Sequence, residues 1–168
     1  FENFGGESQM ELDAPDGVAD VPLPPDYVIR PVSLFAWKPS FDLAQRVVPE
    51  TVKKFRPVEP GRFKQPAILR PLLPLIFRAM GSRPHVFEAR RTADNLLVAR
   101  LGANVRLRSG GMNALNITMD PAHGAIAPAL LAFLLRVAVD RAPGRRIEMS
   151  LPHWQRAMID AALQAGFV

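Results

Sequence analysis

The sequence predicts an α+β fold, a mixed and mostly antiparallel twisted sheet flanked by helices, and three observations predict it. Extended runs at Val86 to Arg91, Leu96 to Leu107 and Ala114 to Met119 are separated by Thr92-Ala93-Asp94-Asn95 and Ser109-Gly110-Gly111-Met112-Asn113. Both separators are rich in turn formers, so antiparallel pairing is expected. The last third then reads strand, helix, strand, helix, which adds a parallel strand pair through a crossover. Between Leu34 and Met80 the prolines at 39, 49, 57, 60, 66, 71 and 74 break the chain into short helical pieces, of which Asp42 to Val48 and Ile68 to Met80 are the better candidates.

Residues 1–26 divide from the rest as an arm. Phe1-Glu2-Asn3-Phe4 and Ser8-Gln9-Met10-Glu11-Leu12, joined by Gly5-Gly6, read as a strand pair, and Asp13 to Pro25, rich in Asp, Pro and Gly, reads as an acidic linker. The main domain, 27–168, opens with a strand at Tyr27 to Val32. Gly102, inside the long central strand, predicts a bulge or bend. Ala114, Leu115, Ile117 and Met119 interleave with Asn116 and Thr118 at the period of a strand, and Pro121 ends it.

From about Ala125 to Arg141, Ile126, Leu130, Leu131, Phe133, Leu134, Val137 and Ala138 recur at helical spacing, with Pro128 tolerated in the first turn. Arg146 to Leu151 alternates again as a strand. Trp154 to Ala165 places Met158, Ile159, Ala162 and Leu163 on one helical face, and Gly166 stands where a helix commonly ends in a left-handed residue.

Composition excludes several chemistries. The chain has 168 residues, 48% of them hydrophobic, enough for one domain with a real core. It has no cysteine, which removes disulfides, thiolate catalysis and cysteine-based zinc sites. His85, His123 and His153 are too widely spread for metal-ligand spacing, and no metal is expected. No apolar run of about 18 residues is free of charge, so no membrane span is expected. The N-terminus lacks the basic and apolar regions of a signal peptide, and a cytoplasmic setting is expected. A first residue of Phe suggests a chain processed or cut from something longer.

Charge is uneven along the chain. Glu2, Glu7, Glu11, Asp13, Asp16, Asp20 and Asp26 precede the first base, Arg30, which leaves nine of the 16 acids against all 21 Lys and Arg and a formal +12 for the remainder. Such a body favours anionic partners, or is a solvated surface partly neutralised by the arm. Nucleic acid is not the expected partner, because Lys53-Lys54, Arg90-Arg91 and Arg145-Arg146 lack interleaved aromatics.

Ile117-Thr118-Met119-Asp120-Pro121, followed by the loop Ala122-His123-Gly124-Ala125, an apolar helix, a strand, and Gln164-Ala165-Gly166-Phe167, resembles the GNAT acetyltransferase superfamily over roughly residues 27–168. The resemblance implies a GNAT-like sheet and an acetyl-CoA cosubstrate. Its pantetheine arm would run along the backbone of Ile117 to Met119, and its pyrophosphate would rest on peptide N–H groups of His123, Gly124, Ala125 and Ile126. It also implies an unknown amine as acceptor and Glu88 as the counterpart of a general base. Against that, Glu88 reads as an ion-pair partner of a neighbouring arginine such as Arg90 or Arg106, the commoner role for a carboxylate on a surface strand.

The loop departs from the family pattern in having a single glycine and no leading Arg or Gln, and Ala162 stands where many members carry a tyrosine acid. Two readings therefore stand side by side, an acyl-CoA-dependent N-acetyltransferase and a GNAT-like module that has lost catalysis and serves a structural or partner-binding role. The family's closing Gly-Phe is followed by a strand pair, whereas Phe167 here is followed by Val168 alone. The arm resembles that missing pair. It would be the tail of a preceding tandem domain, or a strand exchanged with a second copy.

Overall fold

The structure, a computed structural model, describes residues 6–15, 17–64, 71–108 and 110–168. Six strands form one sheet: β1 (Glu7–Leu12), β2 (Tyr27–Pro31), β3 (Ser82–Arg91), β4 (Leu97–Arg106), β5 (Asn113–Met119) and β6 (Ile147–Pro152), in the spatial order β1-β6-β5-β4-β3-β2. Four of the pairings are antiparallel, and β5 with β6 is parallel. The helices are α1 (Trp37–Val47), the single turn α2 (Glu50–Lys53), α3 (Leu73–Ala79), α4 (Ala127–Arg141) and α5 (Arg156–Gln164).

Alternation along the strands creates two unequal faces. One carries Leu101, Leu115, Ile117, Met119, Ile147, Met149 and Leu151, all buried under α4 and α5, which contribute Leu130, Leu131, Leu134, Ala138, Met158, Ala161 and Ala162. Phe87 and Phe133 meet edge to face across this layer, with ring centroids 4.9 Å apart. The segment Pro121–Arg141 is apolar and long enough to cross a bilayer by composition, at mean hydropathy 1.8, but it is this apolar content that packs on the sheet. The opposite face is more polar, covered by α1 over β4 and β5 and by α3 over β3. A small second core of Leu43, Val47 and Leu97 with Trp154 holds α1 down.

Several boundaries differ from the sequence reading for identifiable reasons. Helix α1 begins at Trp37, five residues before the expected start, because Pro39 falls in the first turn where its missing N–H is not needed. Of the helix expected at Ile68 to Met80, Ile68 to Arg70 lie outside the described residues and the helix itself runs Leu73–Ala79. The bulge expected at Gly102 is absent: Val86↔Gly102 pair in unbroken register, and the register shifts elsewhere on the same strand, where Ala89 faces Ala99 and Arg90 faces Leu97 so that Val98 is skipped. Gly166 ends α5 at φ +92°, with Phe167 N–H bonding to Ala162 O (3.0 Å), as a left-handed cap requires. The buried stripe of α5 is Met158, Ala161 and Ala162; Leu163 faces solvent.

The arm completes the chain's own sheet. Strand β1 lies antiparallel to β6, from Glu7↔Pro152 to Leu12↔Ile147, and on its other edge Glu11 and Val168 exchange both backbone bonds at 2.9 Å. Phe1 to Gly5 lie outside the described residues. Because β1 and β2 sit at opposite edges, the linker crosses the sheet's full width over the α4–α5 layer, and Val18 and Leu23 pack on the core as it does so. Its acids meet the basic body in exposed ion pairs, Asp20 with Arg136 and Asp13 with Arg146, both at 3.0 Å, each worth little by itself.

The two faces of the helical layer predict opposite outcomes for two leucines. Leu134→Ala, at a fully buried position, should lower the unfolding free energy by about 2–5 kcal/mol. Leu163→Ala, 55% exposed, should change it by no more than about 0.5 kcal/mol in the same urea titration.

Candidate functional site

The parallel pair is joined at one end and open at the other. Asn113, buried, closes the base: its N–H donates to Arg146 O (2.9 Å), its Oδ1 accepts from Arg106 N–H (3.0 Å) and its Nδ2 donates to Ala142 O (3.4 Å). Registered pairing of β5 with β6 then covers Asn113↔Ile147, Ala114↔Glu148 and Leu115↔Met149 and ceases. Each strand nevertheless continues in register with its outer neighbour, β5 with β4 as far as Met119↔Ala99 and β6 with β1 as far as Pro152↔Glu7. Sheet twist carries the two held strands apart.

Peptide groups alternate sides along a strand, so the direction each faces follows from two bonds. Asn113 donates toward β6, and Asp120 donates to Val98 O on the β4 side (2.8 Å). Odd positions therefore face the gap, and beyond Leu115 these are Ile117 and Met119. Their side chains are buried beneath α4, leaving main-chain groups as the polar lining at this level.

The turn after β5 is tighter than an open phosphate loop. Pro121–Ile126 winds as two short 3₁₀ turns kinked at His123 and leads into α4, with Ile126 buried. Asp120 caps it by accepting from Ala122 N–H on Oδ1 (3.0 Å), and Asp120 O accepts from His123 N–H (3.0 Å). A carboxylate thus occupies the place at a helix start that favours an anion. Arg46 pairs with it at 3.1 Å and also donates to Leu97 O, tying α1 to both strands. His123 bonds through Nδ1 with Tyr27 Oη (2.9 Å), the chain's single tyrosine, which fixes the turn over the sheet end. Gly124 lies against α5, where an added Cβ would come within 3.0 Å of Ala157 Cβ. Ala125 shares this turn with Gly124 and Ile126.

A cavity of about 280 Å³ adjoins the gap on the α1 side, with Thr118 of β5 and Pro152 of β6 in its wall. Ala44, Val48, Val52, Phe63 and Trp154 make its apolar lining, and Arg56, Arg62 and Arg100 its charged one. Glu88 sits behind Arg100 on the same face. Its Oε1 accepts from Arg100 Nη1 (2.6 Å) and its Oε2 from Arg90 Nη2 (2.7 Å) and Nε (3.0 Å). Burial lowers the affinity of Arg100 for its proton and Glu88 counters that, so the guanidinium stays charged. Arg90 is the partner the sequence suggested; the second is Arg100 rather than Arg106, because Arg100 lies directly opposite Glu88 in the β3–β4 register.

Gln155 was not among the expected site residues. It follows β6 at the open end, is 3% exposed, and neither its Nε2 nor its Oε1 has a protein partner. Only the polar residue type at a helix start hinted at it. Ala162 is fully buried, so the place of the family's tyrosine is filled by core packing. Among the described residues no three His, Asp or Glu group as metal ligands.

A scan of protein-family models and a search of curated proteins return no match to this chain. Solved structures do match. The fold is that of the GNAT N-acetyltransferases: a tandem GNAT protein from the clavulanic acid biosynthesis pathway, solved without AcCoA, superposes with a TM-score of 0.55 at 15% identity, over 99% of this chain and 50% of the other. A spermidine N-acetyltransferase chimera from Vibrio cholerae and hSSAT gives 0.55 at 12% identity, over 85% of this chain and 81% of the other. The chain thus spans half the length of the tandem protein.

Two substitutions should separate the site's structural and orphaned polar groups. Glu88→Gln leaves two partly buried guanidinium groups short of their carboxylate and should cost about 2–4 kcal/mol in chemical denaturation. Gln155→Met removes a buried amide that has no protein partner and should stabilise the ligand-free chain, by about 1–3 kcal/mol.

Proposed function

We propose that this chain is an acyl-CoA-dependent N-acetyltransferase-like domain that transfers an acetyl group to an amine. One observation carries the reading: β5 and β6 part after Leu115↔Met149 while the peptide groups of Ile117 and Met119 still face the opening. An extended, amide-bearing chain such as pantetheine can add to such an edge as a strand would. The buried Gln155 amide, with a donor and an acceptor both unused, fits the same guest. When bound, acetyl-CoA supplies an acyl group activated as a thioester. A strand N–H facing the gap then donates to negative charge developing on the acyl oxygen, and the adjoining cavity receives the amine.

The phosphate half of the cosubstrate is supported less. The N–H groups of Ala122 and His123 are used within the turn, and Asp120 already provides the anion there. Affinity would then draw mainly on the pantetheine arm along β5. Glu88, with both oxygens engaged by guanidinium groups, positions Arg100 instead of accepting a proton.

The capped turn and the packed Ala162 favour a second reading, a catalytically inactive module. Its partner, a tandem domain or a second copy, would add a strand to the part of the β1 edge that Val168 leaves unpaired.

Thermal denaturation with acetyl-CoA decides between them. At 100 times its dissociation constant the ligand should add about 2.7 kcal/mol of stability. Gln155→Met should abolish most of that increment while leaving the ligand-free protein folded. Absence of any shift at millimolar acetyl-CoA would leave the inactive module as the correct reading.

A further inference from the structure

The cavity beside the gap carries the wrong charge for a polyamine. Arg56, Arg62 and Arg100 all reach it, and among the described residues Glu7 is the single acid in its lining. Glu7 is itself occupied, accepting from Ser150 Oγ (3.0 Å) and pairing with Arg56 at 3.5 Å. That ion pair is exposed on both sides and so exchanges readily with solvent or with another anion. Arg62 has no ion-pair partner among the described residues. Arg100 is fixed by Glu88 at 2.6 Å, but Glu88 is shared with Arg90, so this partly buried trio retains a net positive charge.

From this we infer that the acceptor is a small primary amine that also bears an anionic group, a carboxylate or a phosphate, which Arg100 and Arg62 hold while the amine points to Thr118 and the gap. The inference rests on the acyl-transfer reading above and adds the acceptor class. Three guanidinium groups near one pocket raise the free energy of a bound ammonium and so lower its pKa. The uncharged amine is then populated without a carboxylate base, which accounts for chemistry proceeding although Glu88 is fully engaged. The nitrogen lone pair forms the amide C–N bond as the thioester C–S bond breaks; the nitrogen loses one proton to solvent, and coenzyme A leaves as a thiolate that takes a proton back from solvent to become its thiol. The acceptor's anionic group offsets the repulsion between an amine and the basic wall, and a polyamine has nothing to offset it with.

Matched amines test this. Thiol release from acetyl-CoA is followed with glycine against glycinamide, and with phosphoethanolamine against ethanolamine, with spermidine as the cationic comparison. The anionic member of at least one pair should be favoured about tenfold or more in kcat/KM, as one charge-assisted contact provides, and the pair that shows it identifies carboxylate or phosphate. Arg62→Glu, at an exposed position where folding is undisturbed, should erase the preference, and Arg62→Lys should keep most of it. Equal or better use of the uncharged amines or of spermidine overturns the inference while acyl transfer stands.

A second readout is independent of acyl transfer. Trp154 lines the cavity and is one of two tryptophans, so in a Trp37→Phe background its fluorescence reports occupancy. N-acetylglycine or N-acetylphosphoethanolamine should shift it saturably, N-acetylglycinamide should not, and Arg62→Glu should abolish the response. If no amine releases thiol and acetyl-CoA gives no thermal shift, the proposed function fails, and this titration alone decides: a saturable anion response sensitive to Arg62 upholds the basic pocket, and a flat one overturns it.

Discussion

Everything distinctive about this molecule depends on one parallel strand pair being tied at its base and released at its tip. Asn113 spends its backbone N–H and both side-chain functions on Arg146, Arg106 and Ala142, locking β5 to β6, to β4 and to the end of α4 at a single point. Above that point the strands obey their outer neighbours instead of each other. Hydrogen bonding would ordinarily zip a parallel ladder to its end, because buried peptide groups left without partners are costly. Here the pull of β4 on one side and β1 on the other, combined with twist, outweighs that tendency beyond Leu115↔Met149.

Packing keeps the opening from collapsing. The side chains of Ile117, Met119, Met149 and Leu151 are committed to the α4–α5 core, so they cannot rotate across to fill the space. On the other face, Arg46 fastens α1 to Asp120 and Leu97, and the small core around Leu43 and Trp154 holds that helix beside the gap rather than over it. The arm is part of the same arrangement. Without β1, strand β6 would lose its outer partner along the stretch where it has already left β5.

Electrostatics divide the region into two zones of opposite character. At the turn, Asp120 accepts from the N–H groups of Ala122 and His123, and the Tyr27–His123 side-chain bond fixes the turn over the sheet end. In the cavity, Glu88 organises Arg100 from behind without cancelling the charge of Arg56 and Arg62. Positive charge is thus concentrated on the cavity wall while a carboxylate caps the turn, a distribution that net charge alone, +5 for the whole chain, does not reveal.

Local pattern was enough to read much of this from residues in order. Alternation gave the β3–β5 meander, the apolar stripe gave α4, and Gly166 gave the end of α5, because each depends on neighbours within a few positions. Strand period also fixes that Ile117 and Met119 present their peptide groups on one side, whereas the role expected of them came from the family resemblance. What only the tertiary structure decided were pairings across long separations: β1 against β6, Tyr27 on His123, Arg100 behind Thr118 with Glu88, and the isolation of Gln155. These contacts join residues 12 to more than 140 positions apart, or, for Gln155, consist of the absence of one. A sequence encodes them only through the sum of packing, twist and register, and no short window of it contains that sum.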